Sequence, residues 1–225
     1  MLAPHRCWDR GVQEVYERRG EPVVDCILQN REEVVALCEF IERERIRSYL
    51  EIGVWTGRLL SALHRIFRFD LVAACDHGWA ERCGFTISLP PGTRFLRADS
   101  GSDAYRRWRA ALGPVDLVFI DANHSRRAVE RDFEINRRFP HRYLAFHDIR
   151  GTRPGTGGVG RFWRSLRHGR KLEIVRPHAE LGLDRTTMGI GIWCAAGEER
   201  TGGPPGPPAA IPSVPSVTDR RAGGR

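Results

Sequence analysis

Lysine is almost missing from this chain. Of 36 basic residues among 225, only Lys171 is a lysine, and the rest are arginines. A formal charge of +8 would ordinarily point to a nucleic-acid partner. An arginine skew of this kind reads as coding bias rather than selection for phosphate contacts. The arginines are also interleaved with acids, as in RRAVERDFEINRR, the pattern of a solvated helix face. No zinc-finger spacing, aromatic-glycine RNA-binding signature or N/D-P-P-Y tetrapeptide accompanies the charge. Nucleic acid is therefore not the expected partner. The six cysteines contain no CxxC pair and read as reduced core residues. No apolar run approaches the roughly 20 residues that span a bilayer, so no membrane is expected. The opening MLAPHRCWDRGVQEVYERRG has no apolar signal core, and the expected location is cytoplasmic. The length and the 41% hydrophobic content suit one α/β domain with a sizeable core.

What is present falls into three regions. Residues 1–45 read as a helical segment, in WDRGVQEVYERR and REEVVALCEFIERER. The second stretch has apolar residues at helical spacing and Asn30 as N-cap. Residues 46–196 alternate short apolar strands with helices. The strands are SYLEIG, LVAACD, TRFLRAD, VDLVFID, YLAFHDI, KLEIVRP and GIGIWCA. The helices are GRLLSALHRIF, SDAYRRWRAAL, SRRAVERDFEINRRF and GVGRFWRSLRHG. This alternation predicts a Rossmann-like, doubly wound, seven-stranded and mostly parallel sheet. Only PHAELGLDRTTM joins the last two strands, too short for a helical crossover, so they should form an antiparallel pair at the sheet's edge. Residues 197–225 are rich in Pro and Gly, with too little apolar surface to offset ordering, and are expected to be disordered.

The chemistry gathers at strand ends. YLEIGVWTG ends a strand in Glu51, turns at Gly53 and opens a helix at Gly57, where free N–H groups and close backbone approach are available. Two glycines in such a turn are a weak signal alone. Asp76 strengthens it: it ends the next strand about 20 residues on, where an acid can accept hydrogen bonds from ribose hydroxyls. Asp99 ends the third strand, where it meets an adenine amino group or caps the helix that starts near Ser102. A dinucleotide site calls for G-x-G-x-x-G, and here the middle glycine is missing. Glu51 would repel a phosphate but suits a cationic ammonium. S-adenosylmethionine (SAM) has the ammonium and no phosphate, so it is favoured over NAD(P), and an oxidoreductase is disfavoured.

Taken together, YLEIGVWTG, LVAACDHG, FLRADS and VDLVFIDANHS resemble a class I SAM-dependent methyltransferase over about residues 20–196. FIDANHS, AFHDI and GVGRFWRSL are similar to the branch of antibiotic-tailoring O-methyltransferases and cephalosporin hydroxylase-like proteins. The resemblance implies that Gly53 and Gly57 line the methionine part of SAM, with Glu51 near its ammonium. Asp76 would hold the ribose, and Asp99 and Ser100 would lie near adenine. It also implies a divalent cation, Mg²⁺ or Mn²⁺, held by Asp121 and the pair His147–Asp148. The family's pair is often two carboxylates or a carboxylate and an amide, so His147 is a departure.

Parallel neighbours VDLVFI and YLAFH would bring Asp121 and Asp148 to one edge. A cation would offset their repulsion and activate an acceptor hydroxyl. His124, three residues past Asp121, is a further ligand or the general base; Asp121, His124 and His147 form the catalytic set. The alternative without metal has His124 capping the following helix and His147 bonded in the core. The expected activity is O-methylation of a small hydroxylated molecule, such as a sugar, a phenol or another natural product. The opposing reading is a SAM-binding interaction module without catalysis. Association into a homo-oligomer is left open.

Overall fold

The computed structural model describes residues 6–7, 26–151, 157–177 and 188–195. Much of the N-terminal region, including WDRGVQEVYERR, and the tail 197–225 lie outside the described residues. The first described pieces are two short strands, β1 (Arg6–Cys7) and β2 (Cys26–Ile27), paired in parallel. They lie outside the two stretches expected to be helical. Helix α1 (Arg31–Arg43) follows, capped by Asn30, whose side chain accepts from Glu32 N at 3.0 Å.

All seven expected strands form one sheet: β3 (Ser48–Ile52), β4 (Leu71–Asp76), β5 (Arg94–Arg97), β6 (Val115–Ile120), β7 (His141–Phe146), β8 (Arg170–Ile174) and β9 (Ile190–Cys194). Their spatial order is β5-β4-β3-β6-β7-β9-β8. Strands β3 to β7 pair in parallel. The expected antiparallel pair at the edge is β8–β9, with β9 inserted between β7 and β8 and antiparallel to both. The central strands β3 and β6 are almost entirely buried, as befits strands covered on both faces.

Helices α2 (Arg58–Phe67), α4 (Asp103–Leu112), α5 (Arg126–Asn136) and α6 (Gly157–Ser165) match the expected crossovers. Between them lies one short unexpected helix, α3 (Trp79–Arg82). One core layer contains Leu37 and Phe40 of α1 and Leu60 and Leu63 of α2, against Tyr49 and Phe119. The other packs Tyr105, Phe133, Phe162 and Trp163 against Leu50, Val118 and Phe146. Among the described residues, no helix is long and apolar enough to cross a membrane. The cysteines differ from expectation: of the four that are described and free, only Cys75 is buried, while Cys83 is exposed.

The chain reverses direction across the sheet between β3 and β6, the topological switch point at which open α/β sheets bind ligands. The residues singled out in the sequence therefore lie in a row along one edge. Asp99 follows β5, Asp76 ends β4, Glu51 and Gly53 belong to β3 and its turn, Asp121 follows β6, and His147–Asp148 follow β7. At about 4.8 Å per strand, four steps span about 20 Å.

Candidate active site

A cavity of about 980 Å³ runs along this edge. Its wall contains Glu51, Gly53, Asp76, Asp99, Ser100, Asp121, His124, His147 and Asp148. Gly57 is the exception among the expected residues. It is the N-cap of α2, and an added Cβ would lie 2.4 Å from Ser88 O, so its role is to fit the turn against that loop. Gly53 has φ +84°, and a Cβ there would sit 2.3 Å from Asp121 O. Only glycine lets the β3 turn pass this close to the loop that carries Asp121.

Asp76 is buried, and three backbone N–H groups donate to it: Val54 at 3.0 Å, Gly78 at 2.6 Å and Trp79 at 3.3 Å. It ties the β3 turn to the β4 turn while facing the cavity. Asp99 does not cap the helix after β5. Ser102 does, accepting from Tyr105 N, and Asp99 Oδ1 instead accepts from Gly101 N at 2.6 Å. Ser100 donates to the buried Asp132 at 2.8 Å. Burial raises the Asp132 carboxyl to about 6.

Glu51 is 2% exposed, and Tyr49 OH donates to it at 2.7 Å. Burial lifts its carboxyl to about 8, so at neutral pH this acid is largely protonated. Thr56 Oγ1 and His147 Nε2, both buried and both in residues of the wall, have no hydrogen-bond partner among the described residues. Such orphans suit a site that a polar ligand completes.

At the other end, donor atoms of Asp121, His124 and Asp148 lie within 4.8 Å of one another. His124 Nε2 is 3.1 Å from Asp121 Oδ1 and 3.6 Å from Asp148 Oδ2. Adjacent ligands of an octahedral Mg²⁺ lie about 3 Å apart, so two carboxylates and an imidazole at these separations fit a hard divalent cation. The converging set thus takes His124 where the expected set had His147. His147 instead points Nδ1 at both carboxylates, 3.3 Å from Asp121 and 3.6 Å from Asp148. Burial alone would lower its pKa, but Asp121 and Asp148 outweigh that and raise it to about 10. Burial would likewise raise Asp121, yet the imidazoles of His147 and His124 hold it below the usual carboxylate range. His147 is thus an internal cation rather than a vacant base. His124 does not cap the next helix; Ser125 does, accepting from Ala128 N.

Sequence reasoning missed several wall residues. Gln29 donates to Asp121 Oδ2 at 2.7 Å from 92 positions away, a contact with no local signal. Trp55, at φ +51°, lies 5.2 Å from Phe85, and both face the cavity. Arg131 of α5 was read only as part of a solvated helix face, yet it too lines the wall.

Residues 50–149 match the profile of a family described as a methyltransferase domain. Over these residues the chain is similar to a methyltransferase domain, and its sheet has the Rossmann-like fold of the class I SAM-dependent methyltransferases. An O-methyltransferase from Bacillus cereus, solved in complex with SAH, shares 17% identity at a TM-score of 0.52, covering 82% of this chain and 89% of its own. The O-methyltransferase TomG from Streptomyces achromogenes, involved in tomaymycin synthesis and solved with SAM, shares 16% identity at a TM-score of 0.51. That match covers 84% of this chain and 91% of TomG. No curated protein matches the chain.

Proposed function

We propose that the protein transfers the methyl group of SAM to a hydroxyl of a small molecule, assisted by Mg²⁺ or Mn²⁺. The observation that carries this is the convergence of Asp121, His124 and Asp148 on the same cavity wall as the Gly53 turn and Asp76. When bound, SAM supplies an electrophilic sulfonium methyl group. A divalent cation supplies Lewis acidity that lowers the pKa of an acceptor hydroxyl.

The chain's own residues bind and orient. Glu51 offers a carboxylate to the cofactor's ammonium, and Gly53 keeps the turn free of a side chain. Asp76 accepts from the ribose with the lone pairs its three backbone donors leave. Asp99 and Ser100 stand at the adenine end. Gln29 fixes one oxygen of Asp121, leaving the other toward His124. Leu28, Trp55, Phe85 and Met188 give the wall apolar area, while Gln29 and Asn123 add polar groups. This mixture suits a sugar, a phenol or a related natural product. EDTA should abolish methyl transfer to an acceptor pool, and Mg²⁺ or Mn²⁺ should restore it. Full-rate transfer by the chelated enzyme would refute the metal's role.

One observation favours a second reading. His147 and His124 already neutralise Asp121 and Asp148 by ion pairing, so the carboxylates need no metal to coexist. In that case transfer proceeds without a cation. A SAM-binding module without catalysis predicts binding but no methyl transfer under either condition. The protein is expected to act in the cytoplasm, with the tail 197–225 dispensable for SAM binding.

A further inference from the structure

We propose that helix α6 is the spacer that sets the gap between His124 and Asp148, with Gly158 and Gly160 as positioning residues for the donor cluster. The inference deepens the metal reading above and rests on it. His124 follows β6 and Asp148 follows β7, so the two side chains stand on separate loops of neighbouring strands. Asp148 Oδ2 lies 3.6 Å from His124 Nε2, and a third element touches the backbone of both loops.

That element is α6. Its first turn meets the His124 loop at Gly158, where an added Cβ would overlap His124 O and Arg126 N and lie 2.8 Å from Ser125 C. Two residues on, it meets the Asp148 turn at Gly160, where a Cβ would lie 3.0 Å from both Ile149 O and Gly151 O. Gly151 N closes that turn by donating to Asp148 O at 2.9 Å. Glycine within a helix costs about 1 kcal/mol against alanine. Neither glycine takes a left-handed φ, so the missing side chain serves the contact and not the backbone. The rest of α6 is pinned. The Phe162 ring lies 5.4 Å from Phe146 of β7 and 5.5 Å from Phe133 of α5, and Trp163 Nε1 donates to Glu173 of β8 at 2.7 Å. Against an added methyl group the loops move more easily than the helix. A shift of about 1 Å would separate donors that one Mg²⁺ or Mn²⁺ holds about 3 Å apart, in a site that tolerates roughly 0.5 Å.

Calorimetric titration of the full chain with Mn²⁺ reads this gap without turnover. Gly158→Ala should bind Mn²⁺ at least about tenfold more weakly than wild type. The discriminating readout is a cycle with His124→Ala, which keeps the backbone carbonyl that Gly158 meets. In that background the Gly158→Ala loss should shrink below about twofold, because the ligand it displaces is already gone. Gly160→Ala makes the milder contact and keeps the test open should Gly158→Ala fail to fold. Its loss of about threefold should persist in His124→Ala and vanish in Asp148→Ala. Losses of equal size in every background would mean general loosening and would overturn the proposal, as would unchanged Mn²⁺ affinity in both glycine variants. A wild type that binds no Mn²⁺ would refute the metal reading itself, and the spacer role falls with it.

Discussion

SAM binding should release a proton from Glu51. Burial keeps this carboxyl at about 8, against an ordinary value of 4.5. An ammonium placed beside it favours the charged form and lowers its pKa on binding. The sign follows. The empty chain holds the proton below about pH 8 and the complex does not, so affinity rises with pH up to about 8 and flattens above it. At pH 7 about nine-tenths of the empty chains carry the proton, so about 0.9 proton should leave per SAM bound, and affinity should change by close to tenfold per pH unit just below that. Calorimetry in buffers of different ionisation enthalpy counts the protons directly. Glu51→Gln removes the titrating group while keeping an acceptor for Tyr49 OH, so its proton release should fall by about 0.9 relative to wild type. Equal proton release from the two proteins would refute the placement of the ammonium at Glu51, whatever their affinities.

Two further perturbations test the scaffold around the cavity. Gly53→Ala puts a Cβ 2.3 Å from Asp121 O at φ +84°, and should cost about 2–4 kcal/mol of stability together with most SAM affinity; unchanged melting and binding would contradict the close approach. Asp132, raised by burial to about 6 from 3.8, destabilises the fold once it ionises, so its contribution is fully present below pH 3.8 and lost as pH rises through about 6. The stability of Asp132→Asn relative to wild type should therefore grow by roughly 3 kcal/mol between pH 4 and pH 8 in urea melts, and a flat difference would show that Asp132 is not buried as a neutral acid.

The residues expected to hold the cofactor could be placed along one cavity wall because their signals are local. A strand, a glycine turn and an acid at the next strand's tip each leave their mark within a few residues. Parallel pairing then puts Glu51, Asp76 and Asp99 on one edge whatever the rest of the chain does. The strands were equally plain, since SYLEI and VDLVFI are short, mostly apolar runs bounded by polar residues, glycine or proline. What the sequence hid is what distance creates. Gln29 reaches Asp121 across 92 positions, and Arg131 sits in a helix whose charge pattern looks wholly solvated.

The exchange of roles between His124 and His147 has the same origin. His147 and Asp148 are neighbours in sequence, but the chain turns between them, because Asp148 takes φ +63°. That conformation costs a non-glycine residue about 1 kcal/mol and persists only where its surroundings impose it. Here the flanks are tied to the start of β9: Ile149 N donates to Gly189 O at 3.2 Å, and Arg150 N to Met188 O at 2.6 Å. Gly189 N in turn donates to the buried Glu33 of α1 at 3.0 Å. An acid from the first described helix and a strand from the far end of the domain thus set the direction of the Asp148 carboxylate. His147, just past β7 and still tied to β6 by its N–H to Ile120 O at 3.2 Å, stays beneath the carboxylates as their counter-ion, while His124 on the opposing loop meets Asp121 and Asp148 from the cavity side. A motif read along the chain counts ligands by adjacency, whereas the fold selects them by which backbone can turn toward a common point.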